Sequence, residues 1–262
     1  MRGKFLFLLL IILLQSCSGG GSALVRTWIY NDQLERQEEI DNMLVYGGTK
    51  EDNLTGSNFI DLQENGTFTS YLAQFDSGKW HFRDSSLILV DYHKNLLELE
   101  IKKVNGRELI CMDRDKRKVY RFTGYKNNFS SDSINPFSAV NNWWRFKPSA
   151  RESDNEISLR LKNHFHFWQT YFSWAEKNKV KMLDVSGTPS VLQIFGNGYR
   201  MFYYSEQEPR WQNCFYDSAD SWKAYEKAYY ILATKRVKWP GTKNRFHEMA
   251  EGFRQMQTWF DE

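Results

Sequence analysis

Short strand-like runs separated by turn signals fill the sequence from residue 23 to residue 125. The clearest signal is Asn65-Gly66, which lies between FIDLQ and TFTSYLAQF. Asn-Gly between two alternating runs indicates a β-hairpin, because both residues tolerate the positive φ angles of a tight turn. Further turns are predicted at Ser77-Gly78, Asp84-Ser85, Lys94-Asn95, Asn105-Gly106 and the RDKRK run of residues 114–118.

These turns divide the segment into eight strands, of which the first covers residues 24–30. Connections of hairpin length force neighbouring strands to pair antiparallel. Eight such strands are enough to close a small barrel. Residues 31–56 are the exception, since LERQEEIDNML predicts a helix there and the rest a loop beside the barrel mouth. The first domain, residues 23–125, is therefore predicted to be an all-β antiparallel barrel.

The chain changes character after this barrel. Residues 126–142 are polar and contain Pro136, which indicates a linker. Ser153 and Glu156 have the spacing of a capping box, and the apolar residues that follow recur at helical intervals. We therefore predict a long helix over about residues 154–178. Its apolar stripe consists of Ile157, Leu161, Phe165, Trp168, Phe172 and Ala175.

Residues 143–262 as a whole predict a small α+β domain. VKMLDV and two aromatic runs joined by Gly196-Asn197-Gly198 indicate an antiparallel hairpin sheet, and residues 210–216 suggest another strand. Two closing helices should follow, the first capped by Asp217 or Ser218 and the second by Thr242. The apolar positions of the first closing helix are Trp222, Tyr225, Tyr229 and Leu232. We recognise no family in this domain.

The start of the chain resembles a bacterial lipoprotein signal peptide. Arg2 and Lys4 flank the start of an apolar run, residues 5–14, that has secretory length and is too short to span a bilayer. LQSC comes next and resembles a lipobox, in which a small residue precedes a lipidated cysteine, here Cys17. An ordinary cleaved signal with an unmodified cysteine is the alternative interpretation.

The lipobox resemblance has three implications. Residues 1–16 would be removed, Cys17 would carry palmitate-type acyl chains, and residues 17–22 would tether the folded body to the membrane. The resulting protein would face an extracytoplasmic compartment of the bacterial cell envelope. Ser18 stands where many inner-membrane lipoproteins have aspartate, which favours the outer membrane.

The run IDLQENGTFTSYLAQFDSGKWHF resembles the core of bacterial lipocalin-like domains, with its Asn-Gly turn and Gly78-Lys79-Trp80 strand. The opening RTWIY is similar to that family's first strand, although Arg26 stands where the family has glycine. The resemblance covers residues 23–125 and implies a calyx barrel. The interior, including Trp28, Phe68, Trp80 and Leu99, would either hold a small apolar ligand or fill itself with side chains.

No familiar catalytic or metal-binding motif occurs in the sequence. His164 and His166 diverge by about 200° on a helix, so they do not form a metal clamp. Cys111 and Cys214 are best interpreted as buried thiols, with a disulfide as the alternative. We therefore predict no cofactor and no metal. An unrecognised hydrolase would have to combine distant residues such as Glu206, Asp217 and His247.

The charge balance bears on the partners of the protein. The formal charge of +3 falls to +1 once Arg2 and Lys4 are removed, which argues against nucleic acid as a partner. We therefore expect a non-enzymatic cell-envelope lipoprotein with a binding or scaffolding role. Its partners would be the membrane, through the lipid, and an envelope protein. Trp143-Trp144 would dock the two domains or contact a partner. A small apolar ligand carrier and a hydrolase remain the alternatives.

Overall fold

The computed structural model describes residues 21–31, 58–72, 74–113, 115, 118–126, 129, 131–180, 209–235, 238, 240–242 and 244–260. Eight strands come first, and each pairs antiparallel with the next, while β8 pairs with β1. The predicted eight-stranded antiparallel barrel is therefore confirmed. The strands are β1 Thr27–Tyr30, β2 Phe59–Leu62, β3 Thr67–Tyr71, β4 Phe75–Arg83, β5 Ser86–Asp91, β6 Leu96–Val104, β7 Glu108–Asp113 and β8 Lys118–Tyr125.

One predicted turn was wrong. Gly78 lies inside β4, because β3 ends at Tyr71 and the chain reverses before Phe75. A Cβ atom on residue 78 would stand 2.1 Å from the carbonyl oxygen of Val90 on β5. The glycine therefore permits two strands to approach closely and does not form a turn. The turn predicted at Asp84-Ser85 is confirmed, with φ angles of 50° and 65°.

Alternation along each strand sends side chains to two different hydrophobic clusters. On β1, Trp28 and Tyr30 face the barrel interior, whereas Ile29 faces outward. On β2, Ile60 faces inward and Phe59 outward. The inner cluster consists of Leu24, Trp28, Tyr30, Ile60, Leu62, Phe68, Leu72, Leu87, Leu89, Leu99, Leu109, Cys111, Tyr120 and Phe122.

Helices occupy the second half of the described chain. They are α1 Ala139–Asn142, α2 Asp154–Lys177, α3 Pro209–Gln212, α4 Ser218–Thr234 and α5 Arg245–Thr258. The capping box of α2 is confirmed, since Ser153 and Glu156 each accept a hydrogen bond from the other's backbone amide. The predicted apolar stripe of α2 is buried throughout, and both α4 and α5 pack against this helix.

Two details of the helical half differ from the sequence predictions. Residues 209–212 form the short helix α3, so the strand predicted over residues 210–216 was wrong. Asp217 caps α4 as predicted, but α5 is capped by Asn244, whose side chain accepts from two amides, and not by Thr242. Residues 181–185 of VKMLDV and the hairpin around Gly196-Asn197-Gly198 lie outside the described residues.

The face of α4 that packs inward also differs from the prediction. Ser221, Ala224 and Ala228 are buried, whereas Trp222 is 50% exposed and Tyr229 is 42% exposed. Small residues at this spacing allow α4 to approach α2 closely. Trp222 and Tyr229, which we expected to fill the core, are left on the outer side of α4, whereas Tyr225 is half-buried and packs against the core.

The barrel and the helices share one hydrophobic cluster, and Phe137 lies at its centre. The Phe137 ring centroid is 4.8 Å from that of Phe59 on β2 and 4.7 Å from that of Trp174 on α2. Both contacts are edge-to-face, the geometry that aromatic pairs favour. Ile29 and Tyr71 of the barrel belong to the same cluster. We call this set of contacts the aromatic junction.

The segment predicted as a linker is partly buried, and asparagine side chains satisfy its backbone. The Asn141 amide group donates to the carbonyls of Asp132, Ser133 and Asn135 at 2.8 to 3.0 Å. Asn142 donates to the carbonyls of Pro136 and Ser138 at 2.7 and 2.8 Å. An irregular segment can be buried only when its polar groups find such partners.

Two arginines attach the residues that follow this segment, residues 144–152. The Arg145 guanidinium lies 3.9 Å from the ring centroid of Tyr71 on β3 and 4.5 Å from that of Phe167 on α2. Arg160 on α2 donates to both carboxylate oxygens of Glu152 at 2.8 and 2.6 Å. Its Nη1 also donates to the Trp144 carbonyl at 2.6 Å. Both guanidinium groups thus hold residues 144–152 against α2.

We expect Phe137→Ala to lower the free energy of unfolding by about 3–5 kcal/mol, because it empties the centre of the aromatic junction. Ile134→Ala, in the same segment but 48% exposed, is the matched control and should change it little. Urea denaturation followed by tryptophan fluorescence measures both. The aromatic junction would not couple barrel to helices if Phe137→Ala left the transition unchanged.

Candidate functional site

The barrel interior contains the four residues that the sequence singled out. Trp28, Phe68 and Leu99 are almost completely buried members of the inner cluster, and Trp80 is half-buried and packs against it. The Trp80 indole Nε1 donates to the Gln63 carbonyl at 2.9 Å, which fixes the ring at the edge of the cluster. The structure thus brings these four side chains to one barrel, while their role toward a ligand stays a prediction.

Trp28 and Arg26 lie at the barrel end where β1 begins, which we call the base. The Trp28 indole Nε1 donates to the Leu24 carbonyl at 2.9 Å, and the Arg26 guanidinium lies 5.4 Å from the Trp28 ring centroid. Arg26 Nη1 donates to the Gly106 carbonyl. On β8, a Cβ atom at Gly124 would come within 2.6 Å of the Trp28 ring. Arg26 is therefore compatible with a closed barrel.

Among the described residues, the Tyr30 hydroxyl of the inner cluster has no hydrogen-bond partner. Its side chain is 1% exposed, and its Oη atom is buried without a partner. The ring packs edge-to-face on Phe122, with centroids 5.9 Å apart. A buried hydroxyl without a partner destabilises the fold by about 1–3 kcal/mol. This oxygen is therefore a polar point available inside an otherwise apolar barrel.

Asp61 is a carboxylic acid buried on the outer side of β2. Thr27 Oγ1 donates to its Oδ1 at 2.7 Å, and Gln63 Nε2 donates to its Oδ2. Asn135, from the segment that covers this part of the barrel, also hydrogen-bonds to it. Burial raises the pKa of Asp61 to about 6, with Asp132 adding to the rise, and the three hydrogen bonds oppose it. Desolvation of the charge therefore outweighs its hydrogen bonds.

The two thiols are buried and unbridged, as predicted. Burial raises the pKa of Cys214 to about 11, and nearby Arg145 and Arg160 oppose that rise only in part. Burial also raises the pKa of Cys111, with Asp113 acting in the same direction. Both groups therefore remain protonated at neutral pH, unlike the thiolates that nucleophilic catalysis requires.

His164 lies in an aromatic cluster on the buried side of α2. Its ring centroid is 4.7 Å from that of Trp144 and 5.1 Å from that of Trp211. Burial lowers the pKa of His164 to about 3, and the positive charge of Arg145 lowers it further. The imidazole is therefore neutral at physiological pH. Trp144 is buried here, so that indole docks its segment onto α2, whereas Trp143 lies half-buried beneath Arg160.

The residues proposed for a hydrolase are not brought together. Asp217 lies beside the start of α2, where it accepts hydrogen bonds from Arg151 and from the Asp220 amide. His247 lies beside the end of α2, with its Nδ1 3.4 Å from a carboxylate oxygen of Glu176. The 24 residues of α2 separate these two places by roughly 36 Å. Glu206 lies outside the described residues, as does Cys17.

The described residues contain neither a metal-ligand cluster nor a helix that could span a membrane. No group of three or more His, Cys, Asp or Glu side chains in these ranges has the arrangement of a metal site. Within the same ranges, no helix combines the length and the apolar character that crossing a membrane requires.

Comparisons of the chain with protein-family models, with curated proteins and with solved structures found no match.

Sequence analysis missed the two features that the structure adds to the candidate site. The first is the pair of exposed rings Trp222 and Tyr229 on α4. The half-buried Tyr225 lies between them, with ring centroids 5.3 Å from Trp222 and 5.9 Å from Tyr229. Their helical spacing resembles that of core residues, and only Ala224 and Ala228 on the opposite face signal which side is buried. The second is Asp61, whose place in the strand pattern gives no sign that another segment covers it.

We expect the stability of the protein to rise as the pH falls from 7 to 5, by about 1 kcal/mol from Asp61 alone. Its pKa is higher in the folded state, about 6, than the ordinary value of 3.8, so the folded state takes up a proton first. Asp61→Asn should remove this part of the slope. Urea denaturation at several pH values measures it, with the exposed Asp84→Asn as the control. Parallel pH profiles for wild type and Asp61→Asn would contradict the assignment.

Proposed function

We propose that this chain is a lipid-anchored protein of the bacterial cell envelope with a non-enzymatic binding or scaffolding role. The anchor is Cys17, and the barrel is a lipocalin-like domain. The observation that carries the proposal is the aromatic junction, through which Phe137 joins barrel and helices into one hydrophobic cluster. A body of this kind on the short tether of residues 17–22 is suited to holding a partner at a fixed distance from a membrane.

The chemistry of the described residues supports a role without catalysis. The two thiols are protonated, the buried imidazole of His164 is neutral, and Asp217 and His247 lie at opposite ends of α2. Catalytic groups must lie within hydrogen-bonding reach of one another and of the reacting atoms. None of these candidate groups meets that condition with another.

The exposed rings of α4 are the surface that we propose for an envelope protein partner. Trp222 and Tyr229 are half-exposed, and Tyr230 is 70% exposed on the same helix. Trp and Tyr are enriched at protein interfaces, because they bury a large area while few rotatable bonds become fixed. A row of such rings on a rigid helix is well suited to binding a protein surface.

Chemical crosslinking in native envelopes tests this function. We expect a stoichiometric crosslinked product with a single partner protein, and we expect Trp222→Ala/Tyr229→Ala to abolish it while the melting temperature stays the same. The matched control is Tyr92→Ala on the barrel, where the side chain is 75% exposed. Loss of the product in Tyr92→Ala as well would contradict a role for α4. Cys17→Ala in the same experiment should release the protein from the membrane fraction.

Carriage of a small apolar ligand in the barrel is the second candidate function, and the unpaired Tyr30 hydroxyl favours it. A ligand with one polar atom would supply the hydrogen bond that Tyr30 lacks. The inner cluster would otherwise be a purely structural core.

Tyr30→Phe separates these two possibilities. For a structural core we expect the variant to be more stable by about 1 kcal/mol, because it loses only a hydroxyl without a partner. For a carrier we expect organic extraction of the purified wild type to release a small molecule, and Tyr30→Phe to release less of it. Thermal denaturation and mass spectrometry of the extract give the two readouts. The exposed Tyr92→Phe should match wild type in both.

A further inference from the structure

A groove opens at the base of the barrel, beside the point where the described chain begins. It has a volume of about 710 Å³. Ser22, Val25, Arg26, Leu62, Lys126 and Phe129 line it, and Glu64 contributes one carboxylate. Its lining thus combines cationic groups with apolar side chains. We call this cavity the base groove.

The topology of the barrel places the tether at this same end. Because all neighbouring strands are antiparallel, the start of β1, the end of β8 and the β2–β3, β4–β5 and β6–β7 turns all lie at the base. Residues 18–22 connect Cys17 to this point. An extended chain advances about 3.5 Å per residue, so Cys17 lies within roughly 17 Å of Ser22.

Three cations at the base are paired with carboxylates. Lys102 pairs with Glu100, and Lys103 pairs with Glu108 at 2.5 Å. Arg83 similarly lies 3.5 Å from Asp84.

Three further cations lie at the base, two of them, Arg26 and Lys126, in the lining of the base groove. Arg26, Arg107 and Lys126 make no ion pair with a carboxylate within the described residues. Arg26 is held in place by Trp28 and by the Gly106 carbonyl, and its Nε is buried without a hydrogen bond. Arg107 follows Gly106 directly, and its carbonyl accepts from the Gly124 amide at 2.8 Å, which holds its turn against β8. Arg26 and Lys126 therefore face one carboxylate in the groove, Glu64, and Arg107 adds a third positive charge on the neighbouring β6–β7 turn.

We infer that the base groove seats the phosphate headgroup of an anionic phospholipid in the membrane that anchors Cys17. The inference rests on the proposed anchoring, which keeps the base within reach of the headgroup layer. The guanidinium groups of Arg26 and Arg107 suit phosphate oxygens. The partly exposed side chains of Val25 and Phe129 suit the glycerol and the first acyl carbons. The barrel would then stand on the bilayer with its base down.

Hydrogen exchange of the full lipidated chain in vesicles tests this orientation. One set of vesicles contains phosphatidylcholine alone, and the other contains phosphatidylglycerol and phosphatidylcholine. The acyl chains hold the protein on both, so a difference reports headgroup binding and not attachment. We expect residues 21–26 and 105–107 to exchange more slowly only with phosphatidylglycerol, while the β5–β6 turn at the opposite end is unchanged. Added salt should weaken the effect.

Charge reversal identifies the groups responsible. Arg107→Glu/Lys126→Glu changes two exposed side chains, so the fold should be retained. Each cation attracted to an anionic surface corresponds to about a fivefold change in occupancy, so the slowing should disappear. Lys94→Glu/Lys147→Glu is the matched control, with the same change of charge on exposed residues away from the base. It should behave as wild type.

Three results would overturn the inference. The first is equal slowing in vesicles without phosphatidylglycerol, which would mean that the base merely lies near a bilayer. The second is equal loss in the control variant, and the third is no slowing at all. The mass of the N-terminal peptide reports separately whether Cys17 is acylated. If it is not, the anchoring proposal fails, and binding of the unacylated chain to phosphatidylglycerol vesicles then decides the base groove alone.

Discussion

The aromatic junction is the contact on which the rest of the structure depends. An eight-stranded barrel can bury apolar residues inside, but Ile29, Phe59 and Tyr71 point outward and need a cover. Phe137 supplies part of that cover, and it also reaches Trp174 on α2. Because one ring serves both surfaces, the outer face of the barrel and the inner face of the helices are stabilised together. Helical packing against a barrel wall is the type of layered arrangement that a chain with both element types needs.

Polar groups around this junction define its geometry further. Asn141 and Asn142 saturate the carbonyls of an irregular segment, Arg145 stacks on rings from both halves, and Asp61 is enclosed beneath the segment. Such groups contribute modestly to stability, but they penalise any other placement of the segment, which would leave buried groups unsatisfied. The apolar rings therefore supply most of the attraction, and the polar groups restrict it to one arrangement.

The barrel could be predicted from the sequence because its determinants are local. A turn such as Asp84-Ser85 and an alternating strand such as Leu97, Leu99 and Ile101 depend on neighbouring residues only. The alternation also placed Trp28 and Leu99 in the interior. The remainder depends on contacts distant in sequence. Gly78 has the sequence context of a turn residue, and only the close approach of Val90 explains the glycine. Trp222 has the spacing of a core residue, but the small residues on the opposite face of α4 are the ones that pack against α2. The base groove combines residues that are distant in sequence. The polar composition of residues 126–142 does not indicate that part of this segment is buried.

Gly124 has a consequence for how this sequence can vary. The space that a side chain would occupy on β8 is filled by the Trp28 ring and by the stem of Arg26, whose Cδ would be 2.7 Å from the added Cβ. Positions 26, 28 and 124 therefore share one fixed volume, and a larger residue at one requires a smaller residue at another. Glycine at position 26 alone would not make room for a side chain at position 124, because the Trp28 ring would still lie 2.6 Å from the added Cβ. The three positions should thus be inherited as a set, which offers a sequence criterion for finding distant relatives.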